Sequence, residues 1–149
     1  MPATSREISS GSSIIFRIPA KFKDTRLLGL SVNTLFANLG FDKIEAYKLE
    51  LAIIEAAHNI VKHSCQEEKK SHLTMKFAAT DEKVICTFVD YGKYVNYLKN
   101  NGLGDICTTT IQSLPSDSRG ISIICEVMDE VNYRRAGDKN VLTLVKYLS

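Results

Sequence analysis

The stretch Glu50–Ser64, ELAIIEAAHNIVKHS, constrains the fold most strongly. It has the length and apolar content of a core helix yet carries Glu55, Asn59 and His63. At about 100° per residue, positions four apart advance by only about 40°, so these polar groups run along one narrow strip. Leu49, Ile53, Ala56 and Ile60, at i, i+4, i+7 and i+11, predict the inward stripe of a helix that begins near Asp42. Glu55 is about 100° round from Ala56, which places the strip at the border of the packed face. A carboxylate, a carboxamide and an imidazole on such a border can hold a hydrated cation and activate a hydroxyl. Mg²⁺ takes oxygen ligands and keeps several waters, so Asn59 could share it with phosphate oxygens while Glu55 serves as a base. Taken alone, the strip also matches the polar edge of any amphipathic helix, and the rest of the chain has to decide.

The elements around it are legible from their periods. SIIFRIP alternates as a strand ending at Pro19, after a Ser-rich tail over residues 1–12. Residues 24–39 place Leu27, Leu28, Leu35 and Leu39 near helical spacing, with Asp24 as N-cap and Gly40 as the stop. SHLTMKFAAT and KVICTFVDYG, separated by DE, predict an antiparallel hairpin. From Lys93 to Ser118 the pattern dissolves over a length typical of lids and binding loops, so this segment is expected to be a mobile cover. GISIICEVMDEV predicts a helix, and EVNYRRAG with NVLTLVKYLS a second hairpin around GDK. This order predicts one α+β domain over residues 13–149, a two-layer sandwich with helices on one face of a mixed, largely antiparallel sheet.

Composition narrows the function classes. With 149 residues, 44% of them hydrophobic, the chain can bury a core without disulfides or structural metal. Its 19 basic and 17 acidic residues are interspersed, without the basic stripe that nucleic-acid binding requires. No apolar run approaches the roughly 20 residues that span a bilayer. Cys65, Cys86, Cys107 and Cys125 form no C-x-x-C pair, and the polar start does not read as a signal peptide, so reduced thiols in a cytoplasmic protein are expected.

Two further motifs bear on the strip. In FVDYG, a D-x-G that by itself is more often a plain turn, Asp90 can supply an acceptor for an exocyclic amine and Gly92 can let a flat base approach the backbone. In SRGISII, which alone is more often a helix cap, Gly120 opens a helix whose free N–H groups and dipole favour phosphate, and Arg119 adds a positive charge. His58 points to another part of the helix surface and is expected to be exposed rather than a ligand, while His63 is expected to orient the helix end.

These elements in this order resemble the histidine-kinase-like ATPase (GHKL) superfamily, in particular its branch of anti-sigma-factor serine kinases. ELAIIEAAHNIVKHS resembles the family's N-box, VDYGKYVN its first glycine box, and SRGISIICEVMDEVNY its second, with the M-D-E-V ending of that branch. The resemblance implies ATP or ADP and Mg²⁺ as cofactors. Glu55 would be the general base for a serine hydroxyl, Asn59 the Mg²⁺ ligand and Asp90 the adenine contact, with Gly92 and Gly120 as close approaches to the nucleotide. Ser118 stands where a first glycine is usual, which reduces the freedom of the phosphate loop. The partners implied are a STAS-domain anti-anti-sigma protein and a sigma factor, with homodimerisation left open. The alternative is a docking regulator that keeps the fold without phosphoryl transfer.

Overall fold

The computed structural model describes residues 11–63, 72–93 and 119–148. Strand β1 (Ser13–Pro19) leads through a 3-10 turn at Phe22–Asp24 into α1 (Thr25–Asn38) and α2 (Lys43–His63). Strands β2 (His72–Ala79) and β3 (Lys83–Asp90), helix α3 (Arg119–Val127), and strands β4 (Glu130–Ala136) and β5 (Lys139–Tyr147) follow. The five strands form one sheet in the order β1-β2-β3-β5-β4. Every pair is antiparallel, so the expectation of a mixed, largely antiparallel sheet narrows to a fully antiparallel one among the described strands. The predicted cover at 93–118 lies outside the described residues apart from Lys93, which is exposed.

Strict alternation on β2 and β3 sends Leu73, Met75, Phe77, Ala79, Val84, Cys86 and Phe88 to the core. The helices cover that face. All four residues of the predicted α2 stripe, Leu49, Ile53, Ala56 and Ile60, are buried. Phe36 of α1 meets Phe77 edge-on, with ring centroids 5.5 Å apart, and so ties the helical layer to the sheet. Helix α1 approaches α2 closely at Gly29, where a Cβ would lie 2.5 Å from Ile54 Cγ1. Asn33 Nδ2 also donates to Glu50 Oε1 across this pair at 2.9 Å.

Several local expectations change. Leu27 is 56% exposed rather than part of the α1 stripe, which runs through Leu28, Val32 and Phe36. Asp24 occupies the N-cap position but makes no side-chain cap, because the preceding 3-10 turn leaves it helical (φ −84°, ψ −17°) rather than extended. Thr25 Oγ1 instead donates to the Phe22 carbonyl at 2.7 Å. At α2 the cap is reciprocal: Glu45 N–H donates to Asp42 Oδ1 at 2.8 Å and Asp42 N–H to Glu45 Oε2 at 3.3 Å. Gly40 ends α1 with φ +101°, as expected of a left-handed stop. Gly11 and Ser12, assigned to the tail by sequence, exchange backbone hydrogen bonds with Ala79.

The last predicted helix is shorter than expected. It ends at Val127 because Asp129 N–H donates to the Val145 carbonyl at 2.8 Å, which draws the chain into the sheet. Lys146 Nζ caps the freed Val127 carbonyl at 2.9 Å. Cys86 is a free, buried thiol that desolvation pushes up to about 12. Cys125 is disulfide-bonded rather than the reduced thiol expected there, and Cys65 and Cys107 lie outside the described residues.

Candidate active site

Helix α2 presents Glu55 and, one turn later, Asn59, both half-buried at the border of the packed face. Helix α3 packs against α2 and begins at Arg119–Gly120. The close point of that contact is Gly120: a Cβ there would lie 2.5 Å from Glu55 Oε2 and 3.4 Å from its Cδ. The carboxylate thus rests against the first turn of α3, where unpaired N–H groups and the helix dipole favour negative charge. Gly120 is needed for this approach, and its φ is not positive. Among the described residues, Asn59 Nδ2 is buried and has no hydrogen-bond partner. An orphaned buried donor costs roughly 1–3 kcal/mol, so this amide has an unmet demand one turn along α2 from the carboxylate.

A second polar group sits on the sheet. Asp90 ends the core-facing row Val84–Cys86–Phe88 and is 1% exposed. Its Oδ1 accepts from Gly92 N–H at 2.9 Å and from Asn140 Nδ2 at 3.0 Å. Asn140 lies opposite Asp90 in the β3–β5 register and is fully buried. Its Nδ2 also lies 3.0 Å from the Gly92 carbonyl and 3.1 Å from that of Lys93. Arg135, opposite Asn140 on β4, donates through Nη1 to Asn140 Oδ1 at 3.0 Å and to the Gly92 carbonyl at 2.9 Å.

The predicted residues therefore fall into two groups: Glu55 with Gly120 on the helical layer, with Asn59 one turn along α2, and Asp90 with Gly92 on the sheet. Sequence reading missed Asn140 and Arg135. The available signal was a polar residue in the inward row that continues through Leu142 and Leu144, masked by the apolar run NVLTLV. His58 is half-buried, not exposed, because the Phe22 ring meets it edge-on at 5.4 Å. Ser118 lies outside the described residues. Away from the site, the hydrogen bond to Glu130 holds the exposed Tyr147 hydroxyl above its ordinary value.

Among the described residues, no group of three or more His, Cys, Asp or Glu could hold a metal ion. The donor set at Asn59 differs in kind, since Mg²⁺ needs few protein oxygens when phosphates and waters complete its shell. The orphaned amide fits that role. As placed, Nδ2 would donate to a phosphate oxygen or a metal-held water, and a half-turn of the amide would put Oδ1 there as a ligand. A cavity of about 450 Å³ between α2 and α3, lined by Glu45, Lys48, Ile123, Glu126 and Lys146 among others, contains none of the predicted site residues. No described helix is long and apolar enough to cross a membrane.

Residues 18–146, which span the sandwich and both polar groups, match the family model of the histidine kinase-like ATPase domain. The chain belongs to that family. Its curated relatives include the serine-protein kinase RsbW of Bacillus subtilis, 23% identical over 91% of this chain and 86% of that protein. RsbW of Bacillus mycoides is 27% identical over 91% of this chain and 84% of that protein. Among solved structures, the fold is similar to a Mycobacterium tuberculosis chain with RsbU and RsbW domains, at a TM-score of 0.60 and 15% identity. That match covers 89% of this chain and 32% of the larger one. The SiaB–SiaC complex of Pseudomonas aeruginosa gives a TM-score of 0.55 at 12% identity, covering 91% of this chain and 88% of that one.

Proposed function

We propose that this chain is an ATP- and Mg²⁺-dependent serine protein kinase of a cytoplasmic partner-switching pathway. It phosphorylates a small STAS-domain anti-anti-sigma protein and sequesters a sigma factor when that partner is not engaged. Similarity to RsbW serine-protein kinases over most of both chains supports the class. The observation that carries the chemistry is the seat of Glu55: its carboxylate lies against Gly120 at the N-terminus of α3. A proton acceptor and an anion-favouring helix end thereby share one place.

In the reaction, the partner's serine Oγ attacks the γ-phosphorus, its proton passes to the Glu55 carboxylate, and the bond to the bridging oxygen of ADP breaks. Mg²⁺, when bound, would neutralise phosphate charge in the transition state. Asn59 would hold the cation or its waters, and Arg119 and Gly120 would form the phosphate end of the pocket. Asp90 would accept from the exocyclic amine of adenine, with Gly92 allowing the base to approach the backbone. A docking regulator has no use for a carboxylate in that position.

Incubation with labelled ATP, Mg²⁺ and the STAS proteins encoded near this chain tests the proposal. Label on a serine of one such protein is expected. Stable nucleotide binding with no transfer to any of them would move the assignment to a docking role.

A further inference from the structure

The D-x-G turn at Asp90–Gly92 is held from outside its own strand. The β3 ladder ends at Asp90, yet the carbonyls of Gly92 and Lys93 both accept from Asn140 Nδ2, and that of Gly92 also accepts from Arg135 Nη1. The same nitrogen lies 3.0 Å from Asp90 Oδ1. Two N–H bonds serve three acceptors, so at least one bond is shared. On the other side of the amide, Asn140 Oδ1 faces a pure donor, Arg135 Nη1. The amide therefore has only one workable orientation. Reversed, its oxygen would face a carboxylate and two carbonyls, and its NH₂ a guanidinium.

We propose that Asn140 is a positioning residue for nucleobase recognition, clamping the Asp90 carboxylate and the turn that follows it in the arrangement that reads adenine. The inference rests on Asp90 being the adenine contact. Asn140 is fully buried and touches the turn at three points, so base selectivity is set by a residue that need not meet the base. Arg135, itself exposed, braces the clamp from β4 through Asn140 Oδ1 and the Gly92 carbonyl. An aspartate at position 140 would be isosteric but would present an acceptor to three acceptors.

Calorimetry on the full chain with ADP, GDP and inorganic tripolyphosphate tests this, because tripolyphosphate probes the phosphate end without a base. Wild type is expected to prefer ADP to GDP. Asn140→Ala and Asn140→Asp should weaken ADP about 10-fold or more, as expected for losing bonds to a buried charged group. The ADP-to-GDP preference should collapse towards unity, while tripolyphosphate affinity stays within about 2-fold, because the clamp does not touch the α3 end. A wild-type preference in Asn140→Ala, or equal losses for ADP and tripolyphosphate, overturns the inference. If both variants fail to fold, Arg135→Ala decides: a reduced ADP-to-GDP preference supports the clamp, and an unchanged one overturns it. Asp90→Asn separates the positioning role from the base contact. A preference lost in Asp90→Asn but retained in Asn140→Ala rejects only the positioning role. A preference unaffected by Asp90→Asn rejects the adenine contact itself, and the clamp with it.

Discussion

Glu55 and Gly120 are in such close contact that no side chain fits between them: a Cβ on residue 120 would lie 2.5 Å from Glu55 Oε2. The clashing atom is the far end of a flexible side chain, so Gly120→Ala should displace the carboxylate rather than break the helix packing. We expect stability to change by less than about 1 kcal/mol, with phosphoryl transfer falling roughly 10²-fold, the scale of a misplaced reacting group. Urea unfolding read beside single-turnover transfer checks both halves. A large loss of stability, or transfer at the wild-type rate, would go against this contact being functional.

Asn59 offers the opposite trade. Its Nδ2 is buried without a partner among the described residues, so Asn59→Ala removes that donor and introduces the best helix former. The apo protein should be as stable as wild type or more stable, by up to about 1 kcal/mol, while Mg²⁺-dependent ATP binding and transfer both decline. Thermal melting with and without Mg²⁺·ATP reads the two effects together. A destabilised apo protein with undiminished Mg²⁺·ATP binding would make Asn59 a structural residue.

Gly29 is a packing glycine. A Cβ there would meet Ile54 Cγ1 at 2.5 Å and Cδ1 at 2.6 Å, and the first of these atoms is close to the backbone and cannot swing clear. Gly29→Ala should therefore destabilise the α1–α2 pair by about 1–3 kcal/mol, the usual range for overpacking. Ile54→Ala in the same chain should recover part of that loss. Chemical denaturation of the double-mutant cycle measures the coupling, and strict additivity would argue against it.

Cys86 makes the core sensitive to alkali. Its folded value is about 12 against an ordinary 9.0, so the folded state retains the proton at pH values where the unfolded chain has released it. This contribution to stability is complete below about pH 9 and is lost as the pH rises towards 12. Cys86→Ala should flatten that part of the stability profile. Native Cys86 should also resist thiol reagents until the protein unfolds, and rapid labelling under native conditions would contradict its burial.

Where local pattern and global packing agree, the fold was legible in advance. The α2 stripe, the two hairpins and the stop at Gly40 follow from period and turn chemistry, because each is settled by residues near one another in the chain. Leu27 and Asp24 were misread because the 3-10 turn before α1 shifts the helix entry. The α3 boundary was overextended because Asp129 is claimed by a sheet bond to Val145, which no local pattern announces. In the site, Glu55 and Asn59 could be read from helical spacing, whereas Asn140 could not. Its importance depends on β5 lying beside β3, a pairing that brings together residues 50 positions apart.

The kinase assignment turns on Glu55 as proton acceptor, and Glu55→Gln tests it with the least disturbance. Glutamine keeps the shape and can still hydrogen-bond at the α3 terminus, but it cannot take a proton from serine at neutral pH. The decisive measurement is single-turnover phosphoryl transfer to a saturating STAS partner, made beside equilibrium ATP binding. Transfer should be slower by roughly 10²-fold or more, with nucleotide and partner affinities little changed. Transfer at the wild-type rate would contradict this and leave the carboxylate against Gly120 without a catalytic role.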